Sequence, residues 1–329
     1  MFSNSARRLA SSAALILLAG CAGGSLSGNP TLARESATHV PAGYRLIAGP
    51  AVIGPSVMRV ASQPNHGGYL LRQSAKTLYV ADPRNNQVLI YDPSTVDPSP
   101  IGSITDKMSF PSGLAVDRKG TLYVANQGNN TVTEYRFGKT KAFLKLSSGL
   151  SAPYGIGVDS AGRVFVSNLT GGLVGFKPGK SVPYETVAAG PNPCGVAIDK
   201  ENNVYVASDS ENRVYVIPAG SSTSQNLGLM GVNGPIGLAF KDGDTLYVGN
   251  YGGDNVTIYP SGAKSPSATI VTGMGGPTLS GFVKGGVFYQ SNEDSGLVQG
   301  YKGKQTSPFT TISGIPQPLG VASFPKPKA

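Results

Sequence analysis

The sequence predicts an all-β fold in which one small unit is repeated around a ring. Three observations predict it. Gly (45) and Pro (25) fill about a fifth of the 329 residues, well above ordinary usage, and neither is tolerated inside helices. The hydrophobic fraction of 40% and the sparse 14% of charged residues exclude a disordered chain. One phrase recurs through most of the sequence at a near-constant interval. Collagen is excluded because Gly shows no three-residue period, and two cysteines are too few for a disulfide scaffold.

The phrase reads FPSGLAVDRKGTLYVANQGNNTVTEY from Phe110, APYGIGVDSAGRVFVSN from Ala152, NPCGVAIDKENNVYVAS from Asn192, GPIGLAFKDGDTLYVGN from Gly234 and, more degenerate, GPTLSGFVKGGVFYQSN from Gly276. Its prolines are Pro111, Pro153, Pro193, Pro235, Pro277 and Pro318, spaced 42, 40, 42, 42 and 41 residues apart. An earlier unit from Gly67 lacks the opening Pro-x-Gly, and QPLGVASF from Gln317 is a beginning without a continuation. In the unit after Pro111, strand-forming residues fill 113–117, 121–125 and 131–135, with a weaker run at 142–146. Asp-Arg-Lys-Gly and Gln-Gly-Asn-Asn supply the turns. The first two runs are nearly all apolar and should be buried on both faces. The third alternates, as a more exposed strand would. Four antiparallel strands every 40–45 residues mark a β-propeller blade, which buries its faces only against neighbouring blades. Second-strand motifs start at Leu78, Leu122, Val164, Val204, Leu246 and Val287, which gives six four-stranded blades. Residues 318–324 should close the ring by joining N-terminal strand material, with 44–48 and 57–61 as candidates. If those add strands, a seventh composite blade is the alternative.

Pro-x-Gly-φ-Ala-φ-Asp, then Gly-x-Leu-Tyr-Val-Ala-Asn/Asp, then Asn-x-Val, resembles the NHL-repeat and SMP-30/gluconolactonase-like propellers over about residues 67–324. The enzymes among these hold a divalent cation at the channel mouth. Some of its ligands occupy the middle position of the strand-opening motif. Here that position holds Ser112, Tyr154, Cys194, Ile236, Thr278 and Leu319. None is a carboxylate, and hard cations need several oxygen ligands, so neither metal nor cofactor is expected. The six residues should converge at one end of the channel, which makes them the candidate ligand-binding mouth. Asp82, Asn126, Asn168 and Asn250 recur at the ends of second strands, where short polar side chains bond their own turns. The only histidines, His39 and His66, precede the blades. A Ser–His–Asp set, a His-based zinc site and a lyase needing a channel His are therefore disfavoured. Cys194 is expected to be a buried thiol without a partner in the chain.

The N-terminus reads as an address. Arg7 and Arg8 precede a short apolar run too brief to span a bilayer. Leu18-Ala19-Gly20-Cys21 resembles the lipobox of bacterial lipoproteins. That resemblance implies a signal peptide over 1–20 and a lipidated Cys21. Ala22 in place of Asp implies export to the outer membrane. Residues 21–44 are small, polar and Pro-punctuated, a tether for a propeller over 45–329. Cleavage removes two of the 27 basic residues and none of the 18 acids, so +9 becomes +7. Lys139, Lys141, Lys145, Lys177, Lys180, Lys302, Lys304, Lys326 and Lys328 are spread over the outer rim and the C-terminus rather than gathered in a nucleic-acid stripe. The function expected is therefore a monomeric, envelope-anchored binding or scaffolding propeller without catalysis. Its partners would be the membrane, through Cys21, and a protein, glycan or small ligand. The alternative is a diverged metal-dependent lactonase-like hydrolase.

Overall fold

The computed structural model of the protein describes residues 76–283 and 285–325. The described residues form six four-stranded antiparallel sheets. Blade 1 contains β1 (Thr77–Asp82), β2 (Gln87–Tyr91) and β3 (Gly102–Ile104). Blade 2 contains β4 (Pro111–Val116), β5 (Leu122–Asn126), β6 (Thr131–Tyr135) and β7 (Leu144–Leu146). Blade 3 contains β8 (Pro153–Val158), β9 (Val164–Asn168), β10 (Leu173–Phe176) and β11 (Pro183–Val187). Blade 4 contains β12 (Pro193–Ile198), β13 (Val204–Ser208), β14 (Arg213–Ile217) and β15 (Gln225–Asn226). Blade 5 contains β16 (Pro235–Lys241), β17 (Thr245–Asn250), β18 (Asn255–Tyr259) and β19 (Ala268–Ile270). Blade 6 contains β20 (Pro277–Val283), β21 (Val287–Asn292), β22 (Leu297–Lys302) and β23 (Thr310–Ile312). The last strand, β24 (Val321–Phe324), is the innermost strand of blade 1. The innermost strands β24, β4, β8, β12, β16 and β20 touch one another in that order and close a six-bladed propeller.

Residues 44–48 and 57–61, the candidates named from the sequence, lie outside the described residues. The terminal strand closes the ring by pairing with β1. Its register is Val321 with Val80, Ala322 with Tyr79, Ser323 with Leu78 and Phe324 with Thr77. The unit that lacks Pro-x-Gly thus receives its inner strand from the orphan Pro-x-Gly at the end of the chain. An inner β1 edge without that strand would leave its backbone groups unpaired in a buried place. The composite blade is one of six.

Pro-x-Gly has a structural meaning beyond strand initiation. In β4, β8, β12, β16 and β20 the pairing to the second strand shifts just after Pro111, Pro153, Pro193, Pro235 and Pro277. Each shift is a β-bulge, where Pro loses no needed ladder bond and the chain re-aims towards the axis. The residue preceding the proline has positive φ in all five: Phe110, Ala152, Asn192, Gly234 and Gly276. The three non-glycine members of this set hold a left-handed backbone that costs free energy, and interblade bonds described below hold two of them there.

The core lies between blades. Alternate residues of one strand serve opposite neighbours. In β5, Leu122 and Val124 pack on blade 1, against Tyr79, Ala81 and Ile90. Tyr123 and Ala125 pack on blade 3, against Ile156, Val158 and Val166. The same division recurs around the ring. The first two strands of blade 2 are buried as their composition implies. The alternating third strand is a correction: every residue of β6 is buried, including Glu134 at 5% exposure. Burial by two neighbouring blades, not strand order, decides exposure here.

Candidate functional site

The six channel-mouth residues predicted from Pro-x-Gly occupy equivalent places at the beginnings of the innermost strands. All are buried, between 0 and 3% exposed. Tyr154, Cys194, Ile236 and Leu319 join Ala152, Leu169 and Leu279 in one apolar cluster at the axis. Ser112 donates its hydroxyl hydrogen bonds to carbonyls that include Pro153 O (3.1 Å) and Tyr154 O (3.2 Å) in the next blade. Thr278 likewise donates to Pro318 O (3.3 Å) and Leu319 O (3.4 Å). Together the six plug this end of the channel rather than line an opening. Cys194 is completely buried, as the sequence implies, with Sγ 3.3 Å from Asn192 O.

The motif glycines explain how six strands come this close. A Cβ on Gly113 would meet Tyr154 O, and one on Gly155 would meet Cys194 O. The same holds for Gly195 against Ile236 O, Gly237 against Thr278 O and Gly320 against Ser112 O, each nearer than 3.0 Å. Each glycine therefore lets one strand touch the middle-residue carbonyl of the next blade. The sixth equivalent place holds Leu279, which fills part of the plug instead.

A second repeated device uses asparagine. Asn126, Asn168, Asn250 and Asn292 accept backbone N–H bonds from Ser109 (3.2 Å), Ser151 (3.0 Å), Asn233 (3.1 Å) and Gly275 (3.4 Å), always 17 residues away. Asn126 Nδ2 donates to Thr133 Oγ1 (2.9 Å), and Asn250 Nδ2 to Thr257 Oγ1 (3.0 Å). Left-handed residues one turn later stitch blade 1 to 2, blade 2 to 3, blade 4 to 5 and blade 5 to 6. Asn86 Oδ1 accepts from Phe110 N–H and Asn130 Oδ1 from Ala152 N–H, both at 2.7 Å. Asp254 Oδ1 accepts from Gly276 N–H at 2.8 Å. These side chains hold backbone. Asp82 departs from the pattern: Oδ2 accepts from Asn85 and Gln87, and Oδ1 has no partner.

The opposite end of the channel is open. A cavity of about 500 Å³ lies where the innermost strands run out. Leu114, Ile156, Val196, Leu238, Phe282 and Phe324 are among its walls. At its mouth stand Asp117, Asp159 and Asp199, together with Arg118 and Lys200. The three carboxylates hold their own hairpin turns. Asp117 Oδ1 accepts from Lys119 and Thr121 N–H (both 2.8 Å), and Asp159 Oδ1 from Ala161 (2.9 Å) and Arg163 (2.8 Å) N–H. Asp199 Oδ1 accepts from Asn203 N–H (2.8 Å), and its Oδ2 accepts from Tyr205 OH (3.1 Å). This end offers an apolar wall under a rim of mixed charge.

The plugged end carries polar chemistry that sequence reasoning missed. The residue following each second strand is Pro83, Gln127, Leu169, Asp209, Tyr251 or Glu293. Aligning the repeats at this column would have exposed the two acids. Burial raises Asp209 to about 6. It also raises Glu293, although Gln317 Nε2 donates to Glu293 Oε1. Burial, then the fields of Glu293, Asp209 and Tyr251, push the Tyr154 phenol well above its usual range. Tyr154 of blade 3 packs in one cluster with Cys194 of blade 4, Ile236 of blade 5 and Leu279 of blade 6.

No protein-family model matches the chain, and no curated protein sequence matches it. Solved structures do. A chain in the crystal structure of a nidogen/laminin complex aligns with TM-score 0.63 and 15% identity, over 75% of this chain and 98% of that one. Hydrazine synthase from Kuenenia stuttgartiensis aligns with TM-score 0.55 and 16% identity, over 69% of this chain and 92% of that one. At these identities the likeness is one of fold, and it supports the β-propeller.

Proposed function

We propose that the chain is an envelope-anchored, non-catalytic propeller of the NHL-like kind that binds its ligand at the open end of the channel. The carrying observation is the contrast between the two ends. One end is filled by the Pro-x-Gly side chains, and the other keeps a cavity of about 500 Å³ with apolar walls. Concave, mainly apolar spaces with a few polar groups are where ligands bind. The mouth acids Asp117, Asp159 and Asp199 are engaged in turn bonds, which favours recognition over metal-assisted hydrolysis. The ligand class that fits is a molecule, or the tip of a protein or glycan chain, with an apolar body. On this reading the precursor is cleaved before Cys21, lipid on Cys21 fixes the chain to the outer membrane, and residues to about 44 tether the ring.

Ala115 lines the cavity and is half-buried. Ala115→Phe narrows the channel without touching the plug. The mature wild type should bind an apolar naphthalene-sulfonate dye saturably, and Ala115→Phe should weaken that binding about tenfold or more while keeping the circular dichroism spectrum of the folded ring. Equal binding by both proteins would count against the open end as the site.

A further inference from the structure

Beyond that reading, we propose that the plugged end carries a second site, for a primary alkylammonium group, built from Tyr154, Asp209, Glu293 and Gln317. The acids alone would not make a site. What points to a ligand is a set of acceptors left without partners. Asp209 Oδ1 and Gln317 Oε1 are both unpartnered, on side chains only 8% exposed. Buried polar atoms are nearly always satisfied, and the exceptions commonly mark an ion, water or ligand. The Gln317 amide belongs to this place, because its Nε2 donates to Glu293 Oε1. Asp209 and Glu293 follow their second strands at the same place as Leu169 and Tyr251, which pack at the axis with Tyr154, so the two carboxyls belong to the same end of the ring.

The chemistry of that place is one-sided. It offers two carboxyls and an amide oxygen beside the axial cluster that holds Tyr154 and Tyr251. Arg84 is the one cation whose field on Glu293 is resolved, and it is exposed. An ammonium has three donors and no acceptor, matching this surplus of acceptors. Its positive charge suits carboxyls otherwise held up by burial, and the tyrosine rings suit the alkyl stem and the cation. Among the described residues no group of three or more His, Cys, Asp or Glu is arranged to hold a metal ion, so an organic cation is the class that fits.

The test is calorimetric titration of the mature protein with butylamine hydrochloride at pH 8, with potassium chloride at equal ionic strength as the blank. Nα-acetyl-lysine amide serves as a second titrant. Saturable binding of butylamine is expected. Asp209→Asn, which keeps shape and removes charge, should weaken it about tenfold or more, and so should Gln317→Leu. Ala115→Phe, at the other end of the ring, should leave it unchanged. Binding of both titrants extends the site to lysine side chains, and binding of butylamine alone assigns it to free amines. Heat no different from potassium chloride, or equal affinity in Asp209→Asn and Gln317→Leu, would overturn the proposal. So would tighter binding of calcium chloride that displaces butylamine.

Discussion

Single atoms decide how tightly this ring closes. The Gly195 position shows it most plainly, because a methyl there would overlap Ile236 O of the adjacent blade. Both atoms belong to backbone, so neither can swing aside. Gly195→Ala is expected to cost about 1–3 kcal/mol or more and to lower the melting temperature by roughly 3–10 °C. A melt within 1 °C of the parent would refute the contact as the reason for the motif glycine. Glu134 carries a different liability. Burial, and then the nearby Asp117 carboxylate, raise it to about 7, whereas an unfolded Glu titrates near 4.3. The folded state therefore holds a proton that the unfolded state has released between about pH 4.5 and 7. Stability falls as pH rises through that window, and the penalty is complete above it. Glu134→Gln should melt higher than the parent at pH 8, by roughly 3–8 °C, and the difference should vanish near pH 4. A constant difference at both pH values would contradict the assignment. At Cys21 the sulfur can carry a lipid or a disulfide, not both. Peptide mass spectrometry of membrane-extracted protein separates the two. The proposal predicts a Cys21 peptide bearing acyl chains that survive reduction, and a peptide released by reduction would contradict it.

At the scale of elements, the closing strand β24 completes the ring. Its Val321, Ala322 and Phe324 are buried between the first, second and sixth blades. Val80, Tyr79 and the rest of the inner β1 edge depend on it for pairing. A chain ending at Gly320 should lose at least about 5 kcal/mol, given what single buried Val and Phe side chains contribute. It should also expose an edge that recruits other chains. Circular dichroism melts and size-exclusion chromatography read both effects. A monomer melting like the full chain would mean that another segment closes the ring. The asparagine lattice works at this scale too. Bonds such as Asn130 to Ala152 N–H connect the second-strand turn of one blade to the entry of the next. Blades are thereby coupled by directional bonds as well as by interblade apolar packing.

For the molecule as a whole, the fold was legible because the repeat encodes it. Proline spacing gave the blade length, strand runs such as 131–135 gave the layers, and the missing and surplus Pro-x-Gly units were two halves of one blade. The partner of β24 was less legible, because the Thr77–Asp82 segment announces a second strand and not the absence of a first. Burial of β6 was illegible because its alternation signals one solvated face, and only the two neighbouring blades remove it. Convergence of Ser112, Tyr154, Cys194, Ile236, Thr278 and Leu319 followed from equivalence in the repeat. Their packing into a plug did not, because it depends on how far Tyr154, Ile236 and Leu319 reach across a ring whose width the glycines set. Asp209 and Glu293 were hidden because they lie one residue past the motif, in a column where every blade differs. The central claim is that this ring has one filled end and one receiving end. A density map of the mature protein purified from its own membrane tests it most directly. The account predicts ligand density in the cavity walled by Leu114, Ile156, Leu238 and Phe282, with Tyr154, Ile236 and Leu319 packed together at the opposite end. A water-filled cavity with the bound partner seated on the outer rim would contradict it.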